Sequence, residues 1–406
     1  MKSLRKILLF TAFSLLAVSC KYDAKKTLAV GADAIVNPNG RNDSWDFVGP
    51  GGGGAMPFIP AINPDDPDHA FVSCDMTGSY VTYDGGENWR MFNLRGVTKF
   101  FAFDRNETNT VYAGTSNMLF KSKNKGVSWS TIYPNPSDIV AIHAQGDHAD
   151  ERVIIPDSTE SIIECLAVDP LVPQRLFLLV RKKRNDFWPP SRERYSIYYM
   201  AIMVSEDGGS HWEILDQIRF DLDQIFVDPT SPVENRSLYV MGKDGLGIRE
   251  NGDWRKVIIP YDSEPLLQIV DGFDTVANQH IIYAMSGTFP YGAEDRRNVS
   301  RIYKTGNGGR SWERVDEGLL NKKIEGADDP EFASIATSYY HPENIYISYS
   351  ELQFHEDSIG FGVAKSSDFG ASWELSWNDR LSTREKTSAT SMIPMTVGSF
   401  RKRWLM

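Results

Sequence analysis

Positive charge is in deficit in this chain. Its 43 lysines and arginines face 54 aspartates and glutamates, a formal net charge of −11. No basic face is evident, which argues against non-specific binding to nucleic acid or to an anionic membrane surface. Cysteine is scarce, at three residues in 406. Beyond the leader only Cys74 and Cys165 remain. They could pair or sit as two buried thiols, because sequence alone does not give their separation. Stretches with helical period are missing after the first twenty residues. So are a nucleotide-binding loop, a zinc cluster and a nucleophile elbow, and no cofactor or metal is expected. The seven histidines are scattered. His143 and His148 share a loop with Asp147 and Asp150, which reads as solvated loop charge in preference to a metal site. Aromatics at 12% and charge at 24% describe a globular chain. Its length allows one large all-β domain or two smaller ones.

The only sizeable apolar run, Ile7 to Val18, is short for a membrane span. It follows Lys2, Arg5 and Lys6 and ends on Ala17-Val18-Ser19-Cys20. That order reads as a signal peptide. The small residues before Cys20 resemble the lipobox of bacterial lipoproteins, in which the cysteine is acylated and becomes the new N-terminus. More than one acyl chain makes such an anchor stable. The expected organisation is a lipoprotein signal peptide over 1–20, a polar tether over 21–44, a propeller over 45–380 and an irregular or truncated tail over 381–406. The protein is expected to be exported and to touch a membrane only through Cys20, at the outer membrane or cell surface of a bacterium.

What the chain has in quantity is an internal repeat. The pattern Ser/Thr-x-Asp/Asn-x-Gly-x-x-Trp runs from Thr82 through Asp84 to Trp89. It returns with Asn124 and Trp129, Asp207 and Trp212, Asn307 and Trp312, and Asp368 and Trp373. A shortened copy stands at Asn251-Gly252-Asp253-Trp254. The carboxylate or amide accepts backbone N–H bonds across a tight turn, and the glycine supplies positive φ. The hydroxyl adds a local bond, and the tryptophan is expected to be mostly buried beneath the turn. Before most copies runs an apolar strand, a turn rich in Pro or Asn and a second strand, as in Phe226–Pro229 leading to Leu238-Tyr239-Val240. Strand, turn, strand, strand, box and strand make one four-stranded blade. The repeat resembles the Asp-box (BNR) motif of sialidases, sortilins and related propellers, where it is structural. The expected fold is therefore all-β, a β-propeller of six to seven four-stranded blades with Asp-box turns. The 83 residues between Trp129 and Trp212 must hold a long insertion or an unmarked blade.

One stretch occurs only once: Trp45 to Gly54 with its glycine run, then Ile62-Asn63-Pro64, then Cys74-Asp75-Met76-Thr77-Gly78-Ser79-Tyr80. It resembles the N-terminus of glycoside hydrolase family 74, which includes xyloglucan-specific endoglucanases. The resemblance implies an inverting hydrolase of β-1,4-glucan or xyloglucan type, with Asp75 as general base at the end of an innermost strand. Gly78 and Tyr80 match the family pattern, and Cys74 and Thr77 depart from it. Inverting hydrolysis places two carboxyl groups about 6.5–9.5 Å apart across the sugar. In the family the acid comes from a second propeller, so this chain alone is expected to bind glycan with little or no hydrolysis. Aromatic platforms for the sugar are proposed at Trp188, Tyr291 and Tyr80. The expected partners are a β-glucan such as xyloglucan and a second propeller domain or chain. The other readings are a glycan-binding propeller without catalysis and a protein-interaction propeller of sortilin or photosystem-assembly kind.

Overall fold

The computed structural model describes residues 57–74, 78–145, 150–155, 161–183, 198–218, 221–242, 245–259, 266–287, 300–355 and 358–382. They form a six-bladed β-propeller. Each blade is a four-stranded antiparallel sheet whose strands follow one another in sequence order. The blades span 57–93, 100–133, 161–218, 224–257, 266–314 and 331–382. The expected range of six to seven thus narrows to six. The long interval after Trp129 holds no extra blade. It contains an antiparallel ribbon, Ala141–Gln145 with Asp150–Ile154, and the long link after Lys183. The interval before Trp312 contains blade 4, marked only by the shortened copy at Trp254.

The strands form where short apolar runs end at turn residues. Both faces of the inner strands are buried, so these runs are nearly continuous. Alternate side chains serve opposite seams. In blade 4, Leu238 and Val240 pack toward blade 3, while Tyr239 and Met241 pack toward blade 5. Five such clusters seal the successive seams from blades 1–2 to blades 5–6. The first strand of each blade is innermost, since first strands meet those of neighbouring blades. Cys165 packs in the seam between blades 3 and 4, and Cys74 is also buried; neither forms a disulfide.

The recurrent turn joins the third strand to the fourth, and its five full copies share one geometry. The Ser or Thr hydroxyl donates to the Asp or Asn side chain at 2.7–3.0 Å. The same hydroxyl accepts the N–H of the glycine four residues on at 2.8–3.1 Å. The side-chain oxygen of Asp84, Asn124, Asp207, Asn307 or Asp368 accepts the N–H of the residue before the tryptophan. Gly86, Gly126, Gly209, Gly309 and Gly370 all have positive φ, which L side chains rarely adopt.

The box tryptophans are mostly buried, as expected, but to different degrees. Of the five, only Trp373 is fully buried, and Trp89, Trp129, Trp212 and Trp312 are half-buried. The indole N–H of Trp212 and of Trp373 is shared between its own turn, at the Gly209 or Gly370 carbonyl 3.1 Å away, and the preceding blade. Trp212 donates to the Ile132 carbonyl at 2.9 Å, and Trp373 to the Val315 carbonyl at 2.8 Å. Trp129 stacks on Phe92, centroids 5.8 Å apart. In the shortened copy Trp254 donates to Asp216 at 2.6 Å. The outer edge of a seam faces solvent, so the ring rim stays accessible.

Candidate functional site: the two ends of the propeller axis

The first-to-second-strand turns gather at one end of the axis. Five of them close on a side chain that accepts an N–H two residues on. Asn63 bonds Asp65, Asp104 bonds Asn106, Asp169 bonds Leu171, Asp228 bonds Thr230 and Asp274 bonds Val276. These turns fix where each innermost strand stops. Their mouths enclose an axial cavity of about 70 Å³ to which all six blades contribute. Its walls are the ends of innermost strands, among them Ala102, Leu166 and Ile225, and its polar groups are Arg105, Asp271 and Tyr339.

Arg105 follows the Asp104 turn of blade 2 and crosses to blade 6. Its guanidinium carbon lies 3.3 Å from the Tyr339 ring centroid and 5.8 Å from that of Tyr340. Burial pushes the Tyr339 hydroxyl pKa well up. On the blade 4–5 side, His280 is buried, with Nε2 2.9 Å from Asp271 and Nδ1 3.8 Å from Asp228. Tyr239 meets His280 edge-on at 5.3 Å. Asp228 and Tyr239 fall in the strand-turn-strand unit of the repeat, whereas Arg105, Asp271, His280 and Tyr339 belong to no motif that stands out in the sequence. Their one sequence signal is position, within a few residues of a strand-ending Asx or Pro.

The other end carries the second-to-third-strand links. Several innermost strands are bulged near this end, which re-aims the side chain at the extra residue. In blade 3 the bulge falls at Glu164. The residues on either side of it, Ile163 and Cys165, consequently face different seams. Glu164 is buried and shared by Lys99 of blade 2 at 3.4 Å and Arg181 at 3.1 Å. Arg181 also reaches Asp221 at 3.4 Å. This network ties blades 2 and 3 to the start of blade 4.

Asp75, Trp188 and Tyr291 lie outside the described residues, as do the glycine run and Cys20. The strand ends that flank them are described. Asp75 follows Cys74 in blade 1, Trp188 lies between Lys183 and Tyr198 in blade 3, and Tyr291 lies between Ser286 and Arg301 in blade 5. In sequence each stands between the second and the third strand of its blade. Cys74 ends the second strand of blade 1. Tyr80 is half-buried on the third strand and pairs in register with Val72 and Met91. It does not line the axial cavity. Among the described residues no group of histidine, cysteine and carboxylate side chains is arranged to hold a metal ion.

No family model matches the sequence, and no curated protein matches it. In fold the chain is similar to a family 74 xyloglucanase from Xanthomonas campestris, with a TM-score of 0.47 and 12% identity. The match covers 78% of this chain and 60% of that one, so this chain spans well under two thirds of the xyloglucanase. It is similar to YCF48 from Cyanidioschyzon merolae, with a TM-score of 0.45 and 14% identity over 81% of this chain and 86% of that chain. It is also similar to an oligogalacturonate lyase from Vibrio parahaemolyticus, with a TM-score of 0.47 and 10% identity over 78% and 76%. At such identity these likenesses concern the propeller fold alone.

Proposed function

We propose that this protein is a β-glucan-directed propeller of xyloglucanase kind. It takes a xyloglucan-type chain across the end that carries the second-to-third-strand links. The observation that supports this most is topological. Asp75, Trp188 and Tyr291 are far apart in the chain, yet in sequence each stands between the second and the third strand of its blade, in blades 1, 3 and 5. A glycan site needs such a constellation: aromatic faces for sugar rings, with a carboxylate beside them. In this reading Asp75 is the general base, and Trp188 and Tyr291 are platforms. Tyr80 stands on the third strand of blade 1. The recurrent turns act as structural Asp-boxes. An acid facing Asp75 across the sugar comes from a second propeller domain or chain. Acid or base assistance is typically worth about 10²–10⁴-fold, so a base alone turns over little substrate. The protein is exported and held to a bacterial membrane through acylated Cys20.

Two measurements test this reading. Xyloglucan should retard the purified protein in affinity electrophoresis, and Trp188→Ala together with Tyr291→Ala should abolish the retardation. Unchanged retardation in the double variant would place the glycan elsewhere. For the anchor, Cys20→Ser should move the protein from the membrane to the soluble fraction in detergent-free buffer. A variant that still sediments with membranes would contradict it.

A further inference from the structure

Blade 1 is joined to blade 2 through a buried histidine that the glycan reading does not use. His69 stands near the start of the second strand of blade 1, at the opposite end from the link that follows Cys74. It is 1% exposed, and both ring nitrogens are engaged. Nε2 lies 3.1 Å from the Lys125 carbonyl, in the recurrent turn of blade 2. A carbonyl only accepts, so Nε2 carries the proton, and Nδ1 of the neutral ring is an acceptor. Nδ1 takes the Asn63 side-chain N–H at 3.2 Å. The same amide nitrogen donates to the Thr108 carbonyl of blade 2 at 3.3 Å, and the amide oxygen accepts the Asp65 N–H at 3.0 Å. Asn63 is thereby fixed in one orientation. Turning the amide over to offer His69 an oxygen would set donor against donor at Asp65 and acceptor against acceptor at Thr108. A second proton on His69 therefore meets a donor where it needs an acceptor, inside a buried site. The charged groups acting on the ring are Lys125, which opposes a further positive charge, and Asp66, which favours one but is held by Lys125 Nζ at 2.7 Å. The other neighbours are rings. Tyr83 stacks on His69 at 5.3 Å and gives its hydroxyl to the same Lys125 carbonyl, and Phe71 and Phe103 stand edge-on.

We propose that His69 is an acid-sensitive pin between blades 1 and 2. As a neutral ring it holds the Asn63 turn of blade 1 to the Thr108 and Lys125 turns of blade 2, and on taking up a proton it lets blade 1 part from blade 2. Burial holds the ring below the ordinary histidine range, outweighing the upward pull of the Lys125 carbonyl. An opened chain then binds the proton more readily than the closed one. The pin is therefore at full strength above the unfolded value of about 6.5, and it weakens as pH falls from there toward the lower folded value.

The test is hydrogen exchange of the full chain, followed by mass spectrometry between about pH 7.5 and pH 5 and corrected for the intrinsic pH dependence of exchange. That range lies above the one in which aspartates ordinarily titrate. In wild type, protection of Asp66–Cys74 should fall relative to Leu176–Lys183 in blade 3, by up to about tenfold per pH unit below 6.5. His69→Gln has no ring to protonate and should lose this pH dependence, whatever its protection at neutral pH. Asn63→Asp sets a carboxylate acceptor at Nδ1, so it should hold a protonated ring and keep its protection at low pH better than wild type does. Protection of blade 1 that does not change with pH in wild type would overturn the proposal. So would a fall as steep in His69→Gln or in Asn63→Asp as in wild type.

Discussion

At the scale of single residues, the recurrent turn behaves as a small acid-stabilised device. The Asn88 side chain holds Asp84 below the usual carboxylate range, with the Asn88 N–H and the Thr82 hydroxyl adding to it. His211 does the same for Asp207, and Ser372 for Asp368. A folded pKa below the unfolded one stabilises the fold above the unfolded value, and the benefit disappears as pH falls through the folded value. The unfolded value for aspartate is about 3.9. Wild type should therefore lose melting temperature more steeply between about pH 5 and pH 2 than an Asp84→Asn, Asp207→Asn, Asp368→Asn triple variant. Parallel curves would contradict the assignment. The tryptophans divide by burial. Trp373→Ala removes a ring that is 6% exposed and should cost about 3–5 kcal/mol in chemical denaturation. Trp312→Ala, at a half-buried ring, should cost less. An equal cost at both sites would mean that ring burial does not set the energy.

At the scale of strands and blades, the sequence was most legible where local chemistry repeats. Asp or Asn, Gly and Trp at fixed spacing announced the third-to-fourth-strand turn, because hydroxyl, carboxylate and positive φ act within eight residues. The order of strands in a blade followed from the same spacing. What spacing could not convey was direction across a seam. Trp212 finds its acceptor at Ile132, 80 residues away, and a one-dimensional pattern is silent on that. Inter-blade polar contacts were equally hidden. Arg236 of blade 4 meets Asp169 of blade 3 with bonds of 2.7 and 3.0 Å, and both side chains are at most 1% exposed. Removing one partner strands the other charge, so Asp169→Ala should cost about 3–5 kcal/mol. Replacing both residues with apolar ones should recover much of that loss. A single variant that unfolds at the wild-type denaturant midpoint would contradict the seam assignment.

At the scale of the whole molecule, six blades set two chemically different ends on one axis. One end is closed by strand-ending turns and by Arg105 reaching from blade 2 to the tyrosines of blade 6. The other carries the second-to-third-strand links, where the glycan face is proposed. The axial residues were the least legible part of the chain. Arg105, His280 and Tyr339 come together only when the ring closes, and no pair of them is near in sequence. The central claim is that the end bearing the links holds a xyloglucan-type glycan. It is tested most directly by titrating a xyloglucan oligosaccharide into the full chain by calorimetry, for wild type, Asp75→Asn, and Trp188→Ala with Tyr291→Ala. The account predicts saturable binding to wild type and to Asp75→Asn, and none to the double aromatic variant. Heat of binding that is absent in wild type, or undiminished when both aromatics are removed, would contradict it.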